Sequence, residues 1–237
     1  IGPGNVGRAL LEQFADALPR FAREQRPERQ LDLRLRAVAD SKRMLLAARQ
    51  LDPATAADAL AEGEALDLDR FVAHVRADHL PHAMIVDCSG SNAIAERYPE
   101  WLAAGIHVVT PNKQAGSGPL ARYQAIRAAT RSGGQFRYEA TVGAGLPVIQ
   151  TLRSLIDTGD ELTEVEGVLS GTLAWLFNRF DASQPFSELV REAQAEVLAP
   201  GGRDQLHADG QAFARQPHRH GRYRQADKGD RLGEDAH

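Results

Sequence analysis

The sequence has 237 residues, a net charge of −4, 43% hydrophobic and 25% charged residues, enough chain for one or two domains with a sizeable core. No apolar run approaches the roughly 18 residues of a membrane-spanning helix, no signal peptide opens the chain, and a single cysteine, Cys88, excludes a disulfide framework and fits a reducing compartment, the cytoplasm. The mild acidic balance argues against nucleic acid as a partner, so composition leaves a soluble globular protein.

The basic residues are almost all arginine, with Lys42, Lys113 and Lys228 as the only lysines. The chain opens at Ile1 and runs at once into glycines, which reads as a fragment whose leading strand is represented by Ile1 alone. From Gly4 to about Arg23 the apolar residues Val6, Leu10, Phe14, Leu18 and Phe21 follow a helical stripe. Leu31–Val38 alternates as a strand ending near Asp40. Met44–Gln50 and Ala54–Glu62 are helix-prone, and Asp67 or Asp69 is placed to cap a helix carrying Phe71, Val72 and Val75. Ala83–Val86 is a short buried strand, Asn92–Ala104 a helix with Gly105 as left-handed cap, and Ile106–Val109 the next strand. This alternation predicts a parallel sheet covered on both faces. Beyond Lys113 the expected order is a helix at Leu120–Thr130, a strand at Gln135–Val142, a helix at Val148–Asp157, a strand at Leu162–Leu169, and helices at Thr172–Phe180 and Phe186–Glu196. Past Val197 large apolar residues become too sparse to offset the entropy of ordering, which predicts a disordered tail.

Gly2-Pro-Gly4-Asn-Val-Gly7 opens the first helix. In a dinucleotide-binding unit the first glycine permits the tight turn, the second lets the pyrophosphate approach, and the third lets helix and strand pack closely. Alone the run marks no more than a glycine turn, but a helix and then a strand ending in Asp40 follow in the right order. Asp40 would accept from a ribose 2′-hydroxyl and favour NAD, whereas Lys42 or Arg43 would hold the 2′-phosphate of NADP; the sequence leaves both open. Thr110-Pro-Asn-Lys113 lies just past a strand's carboxyl end, where open α/β sheets place ligands. Tyr138-Glu-Ala-Thr-Val-Gly-Ala-Gly-Leu-Pro147 offers a carboxylate and a turn of carbonyls, a hard-cation set or simply a satisfied turn. Ser170-Gly-Thr172 starts a helix whose free N–H groups suit a substrate carboxylate or an ordinary cap. The histidines are scattered, and Cys88 reads as a small buried hydrophobe.

Taken together, Gly2–Gly7, Ile85-Val-Asp-Cys-Ser89, His107–Lys113, Tyr138–Val148, Thr158-Gly-Asp160 and Glu166–Leu173 resemble homoserine dehydrogenase, above all the dehydrogenase half of bifunctional aspartokinase–homoserine dehydrogenases, over about Ile1–Glu196. The resemblance implies NAD(P)-dependent interconversion of L-homoserine and L-aspartate 4-semialdehyde in threonine and methionine biosynthesis. It implies a Rossmann-type domain over residues 1–113, a partial α+β catalytic and dimerisation domain over 114–196, and a tail of no matching kind over 197–237. Gly2, Gly4, Asn5, Val6 and Gly7 would contact NADP or NAD, with Ala39, Ser89 and Lys113 lining its site, beside the Asp40 and Lys42 singled out above on their own chemistry. Lys113 would be catalytic, Gly171 and Thr172 would flank the substrate, and Glu139 with the carbonyls of Val142, Ala144 and Leu146 would hold a sodium-like monovalent cation. Homo-oligomers would form through the second domain. The family's later acidic segment and second lysine segment have no counterpart in Val197–His237, so the resemblance also implies impaired turnover, with an inactive dinucleotide-binding fragment as the alternative. An out-of-frame origin would account for that tail.

Overall fold

A computed structural model describes residues 1–23, 31–77, 79–143, 146–165, 167 and 171–198. They fall into two compact units, one spanning Ile1–Glu161 and one beginning at Leu162.

In the first unit, helix α1 (Asn5–Ala22) follows the glycine run as expected, but its apolar stripe is only partly used: Gly7 is buried, Phe14, Leu18 and Phe21 are half-buried, and Val6 and Leu10 are exposed. Strand β1 (Ala37–Ala39) turns back into β2 (Arg43–Leu46), antiparallel, with Ala39 opposite Met44. Helix α2 (Ala56–Ala59) and a following 3-10 turn lead to β3 (Glu64–Ala65), which pairs with β2.

The helix expected from Met44 is therefore a strand. Asp40 is the reason: one carboxylate oxygen accepts the backbone N–H of Lys42 and of Arg43, each at 2.7 Å, while the Asp40 N–H donates to the Arg43 carbonyl at 3.0 Å. That turn reverses the chain, and Met44 is then fully buried beside Ala39 and Phe71. Pairing and burial override the helical propensity of Met-Leu-Leu-Ala-Ala.

Helix α3 (Leu68–Arg76) starts at the expected cap, where the Asp67 carboxylate accepts the Arg70 N–H at 3.0 Å, and it buries Phe71. The parallel sheet is built by β4 (Met84–Val86), β5 (His107–Val109) and β6 (Phe136–Arg137), in that order, with Ile85 opposite Val108 and Val108 opposite Phe136. Between β4 and β5 the single helix expected at Asn92–Ala104 is split into α4 (Asn92–Glu96) and α5 (Tyr98–Ala103). Pro99 explains the break, because it has no N–H to give a continuous helix and sits instead in the first turn of α5. Helices α6 (Gln114–Ser117) and α7 (Leu120–Ala129) lie between β5 and β6. Tyr98, Trp101, Leu102, Ile106, Val108 and Ile126 form the fully buried centre of this core.

The strand expected at Gln135–Val142 stops at Arg137. The Thr141 N–H and hydroxyl both donate to the Tyr138 carbonyl, at 3.0 and 2.7 Å, and close a 3-10 turn over Glu139–Thr141. Helix α8 (Val148–Asp157) has the limits read from the sequence. Ile1 and Gly2 join the two sheets: the Ile1 nitrogen donates to the Val86 carbonyl (2.8 Å), the Ile1 carbonyl accepts from Cys88 N–H (2.9 Å), and Gly2 N–H donates to the Ala39 carbonyl (2.8 Å).

In the second unit Leu162–Val165 forms no strand, and Leu162 and Val165 are exposed; a strand exists by pairing, and none of the described residues pairs with this segment. Helices α9 (Gly171–Arg179) and α10 (Phe186–Leu198) bury Trp175, Leu176, Leu189 and Ala193 between them. The tail expected beyond them lies outside the described residues.

The Asp40 turn generates a pH prediction. The two N–H groups hold the Asp40 carboxyl below its ordinary pKa, so the turn's stabilisation is complete above about pH 4 and is lost as pH falls through the lowered value. Asp40→Asn keeps an acceptor oxygen without the charge. The urea midpoint of the wild type should exceed that of Asp40→Asn at pH 7, and the difference should vanish near pH 2.

Candidate functional site

The glycine turn is shaped by what its neighbours leave free. Gly2 has φ of 77°, and a Cβ there would stand 2.8 Å from the Ser89 nitrogen. A Cβ on Gly7 would stand 2.4 Å from the Gly2 carbonyl oxygen, so helix α1 can approach the turn only with glycine at that position. Gly4 differs, because a Cβ there would meet nothing within 4 Å. Gly4 is also the N-cap of α1, with no side chain capping it and no acid in the first turn. The N–H groups of Asn5, Val6 and Gly7 have no partner among the described residues. An open surface at the middle glycine, edged by unpaired donors at a helix N-terminus, fits a pyrophosphate.

Ala39, at the end of β1, is buried and binds the turn through its carbonyl. Asp40 spends one carboxylate oxygen on its own turn. The Arg43 guanidinium donates to the Gly63 carbonyl at 2.9 Å, which leaves Lys42, exposed and with no side-chain partner among the described residues, as the available cation of that pair.

Ser89 and Lys113 sit just past the carboxyl ends of β4 and β5, and a buried polar network ties those ends together. Asp87 and Thr110 are fully buried, and Asn112 nearly so. Asp87 accepts the Ser89 N–H on one carboxylate oxygen (2.8 Å) and, on the other, the Tyr98 hydroxyl and the Asn112 side-chain amide (3.1 Å). The Thr110 hydroxyl donates to the Asp87 carbonyl (2.7 Å) and accepts the Asn112 N–H (2.9 Å), with the Tyr98 oxygen 3.1 Å away. The Asn112 amide also donates to the Ser91 carbonyl (2.9 Å), and its oxygen accepts the Gln114 N–H (3.0 Å). Burial, and then Asp87, push the Tyr98 phenol well above its usual range, so it stays a donor. Lys113 itself is exposed, directly before α6, with no side-chain partner among the described residues.

This network was only half visible in the sequence. Asp87, Thr110 and Asn112 are polar residues that end apolar strands, a usable signal, whereas Tyr98 lies within a helical pattern and nothing local marks its hydroxyl.

Of the expected cation ligands, Ala144 lies outside the described residues. One Glu139 carboxylate oxygen accepts from Arg153 at 2.8 Å and lies 3.7 Å from the Arg137 guanidinium. Its other oxygen and the Val142 carbonyl have no partner among the described residues, while the Leu146 carbonyl accepts the Val148 N–H at 2.9 Å. Gly171 and Thr172 open α9, in the second unit, and Ser170 lies outside the described residues. Two of the histidines serve the fold: His107 Nδ1 accepts the Gln135 N–H at 3.0 Å, and His74 meets the Ala47 carbonyl at 2.9 Å. Burial raises the Cys88 thiol, which disfavours the thiolate a nucleophile needs.

A glycine turn entering a helix N-terminus, set beside polar residues at the carboxyl ends of parallel strands, defines a Rossmann-type dinucleotide-binding protein. The family model described as "Homoserine dehydrogenase, NAD binding domain" matches residues 2–139, and that described as "Homoserine dehydrogenase" matches residues 147–200. The chain belongs to the homoserine dehydrogenase family, and its cofactor class is NAD(P). It is 45% identical over 210 residues to the chloroplastic bifunctional aspartokinase/homoserine dehydrogenase 2 of Arabidopsis thaliana, covering 87% of this chain and 22% of the relative. It is 35% identical over 217 residues to the homoserine dehydrogenase of Saccharomyces cerevisiae, covering 87% of this chain and 57% of the relative. The chain thus spans about a fifth of the plant protein and somewhat over half of the yeast one. A solved structure of a hyperthermophilic archaeal homoserine dehydrogenase in complex with NADPH shares the fold, with a TM-score of 0.63 at 20% identity, over 90% of this chain and 67% of that one.

The glycines can be separated by experiment. Gly7→Ala should cost about 1–3 kcal/mol by overpacking and weaken NADPH binding with it. Gly4→Ala, facing open space, should cost only what the N-cap loses, about 1 kcal/mol or less, yet weaken NADPH binding roughly tenfold or more by filling the approach to the pyrophosphate. Titration of NADPH fluorescence beside a thermal melt reads both.

Proposed function

We propose that this chain performs the NAD(P)-dependent interconversion of L-homoserine and L-aspartate 4-semialdehyde, a step toward threonine and methionine. The observation that carries the reading is the joint placement of the glycine turn and Lys113 on one buried polar frame at the strand ends. Residues 1–113 bind the dinucleotide in this reading, and residues 114–196 supply the substrate side and the surface through which copies pair. The half-buried free Cys88 suits a reducing compartment, the cytoplasm.

The nicotinamide supplies or takes the hydride when bound. The N–H groups of Asn5, Val6 and Gly7 receive the pyrophosphate, and Ala39 and Ser89 wall the turn. Lys42 stands ready for a 2′-phosphate, which favours NADP, while the unshared Asp40 oxygen remains able to accept from a ribose hydroxyl. Negative charge grows on the aldehyde oxygen as the carbon is reduced; Lys113 stabilises that charge and gives the oxygen its proton, and it takes the proton back in the oxidation of homoserine. Gly171 and Thr172 hold the substrate at the start of α9 through backbone donors. Glu139, Val142, Ala144 and Leu146 hold a monovalent cation that fixes their turn; the unpaired Glu139 oxygen and Val142 carbonyl have the hard-donor character such an ion needs.

Nicotinamide absorbance, followed with the purified chain, L-homoserine and either NAD⁺ or NADP⁺, tests the reading. Homoserine-dependent reduction that falls at least about a hundredfold in Lys113→Ala, the scale of a lost acid–base group, is the expected result. Lys42→Ala should weaken NADPH more than NADH, by roughly tenfold for one charged contact. Cofactor binding with no turnover would support the inactive dinucleotide-binding fragment instead.

A further inference from the structure

Lys113 is placed by its backbone, since its side chain has no partner among the described residues. Its carbonyl accepts the N–H groups of Gly116 (3.1 Å) and Ser117 (2.9 Å) and the Ser117 hydroxyl (2.9 Å), which tightens the turn on its far side. On its near side the chain leaves β5 through Thr110, whose N–H completes the ladder to the Arg137 carbonyl at 2.9 Å. The Thr110 hydroxyl then makes two bonds, to the Asp87 carbonyl and from the Asn112 N–H. Its donor group reaches the residue that pins Ser89, and its acceptor lone pair holds the residue directly before Lys113. Thr110 is fully buried, so water cannot replace either bond.

We propose that Thr110 is the positioning residue of Lys113: through its hydroxyl it locks the lysine-bearing turn in register with the Ser89–Gly2 contact, so that the cation and the glycine turn face one bound dinucleotide. This assignment rests on the dehydrogenase reading above. Tyr98 supports it from the second side, with its hydroxyl on Asp87 and its oxygen 3.1 Å from that of Thr110.

The chemistry sorts the alternatives. Thr110→Val keeps the shape and removes the hydroxyl; Thr110→Ser keeps the hydroxyl and removes a methyl group. A packing role makes serine the worse variant, and a positioning role makes valine the worse one. The full chain is compared as wild type, Thr110→Val, Thr110→Ser, Lys113→Ala and the Thr110→Val/Lys113→Ala double variant, with Tyr98→Phe as a milder variant should valine fail to fold. Amide hydrogen exchange over Asn112–Ser117 is measured well below the melting temperature, together with NADPH affinity from its fluorescence.

The expected result is exchange about tenfold faster in that segment for Thr110→Val and Tyr98→Phe, the factor for one net hydrogen bond, with β4 and β5 unchanged and serine close to wild type. NADPH affinity should fall in Thr110→Val, and the same substitution should add little once Lys113 is alanine, because the two act through one group. Faster exchange spread evenly over the core, serine worse than valine, or full additivity with Lys113→Ala would each overturn the assignment. Failure of the wild type to bind NADPH would overturn the dehydrogenase reading instead, and Asn112–Ser117 exchange in Thr110→Val no faster than in wild type would overturn the positioning role whatever the cofactor does.

Discussion

A carboxylate buried at the end of a strand is tolerated only where donors surround it. Asp87 is fully buried, and its donors come from separate stretches of chain: the Ser89 amide, the Tyr98 hydroxyl at the start of α5, and the Asn112 amide past β5. Satisfying one side chain therefore fixes the exits of two strands and the start of a helix relative to one another. The glycine turn inherits its position from the same requirement. With the Ser89 amide held by Asp87, the Ser89 nitrogen stands where a Gly2 side chain would go, so the residue type at Gly2 is a consequence of the carboxylate beneath it.

Arg122 provides a second clamp between the same loops from above the core. Its guanidinium donates to the Asn92 side chain (2.8 Å), to the Gln114 carbonyl (3.0 Å) and to Glu96 (3.1 Å), and only 8% of its side chain is exposed. Lys113 thus sits on a turn gripped through Asn112 on one side and Gln114 on the other, while its own ammonium stays in solvent. The rigid base fixes where the Lys113 side chain starts, which shortens the search for the geometry that the proton transfer proposed above requires.

Features set by a few adjacent residues were legible in the sequence. The glycine turn, the Asp67 cap, the limits of α8 and the order of β4 and β5 all depend on local chemistry that periodicity and turn residues report. What was misread depends on partners distant in the chain or on competition between local signals. Met44–Leu46 carries helical propensity, but the Asp40 turn delivers it to β1, where burial decides. The apolar spacing of Asn92–Ala104 suits one continuous helix, and Pro99, itself a local signal, breaks it. Tyr98 and Arg122 could not have been found: each looks like an ordinary helical residue until the fold brings Asp87 or Gln114 to it.

Charge balance at Glu139 bears on which ion its turn would hold in the reading proposed above. One carboxylate oxygen is shared with Arg153 at 2.8 Å and approached by Arg137 at 3.7 Å, and the side chain is partly exposed, so solvent screens these pairs without removing them. A divalent ion would bring two further positive charges to a single carboxylate that already faces two guanidinium groups, with only carbonyl dipoles to help. A monovalent ion adds half of that charge, and the free Glu139 oxygen with the Val142 carbonyl supplies ligands of matching hardness. Of the two, the surrounding arginines disfavour a divalent ion more strongly than the sodium-like ion proposed above.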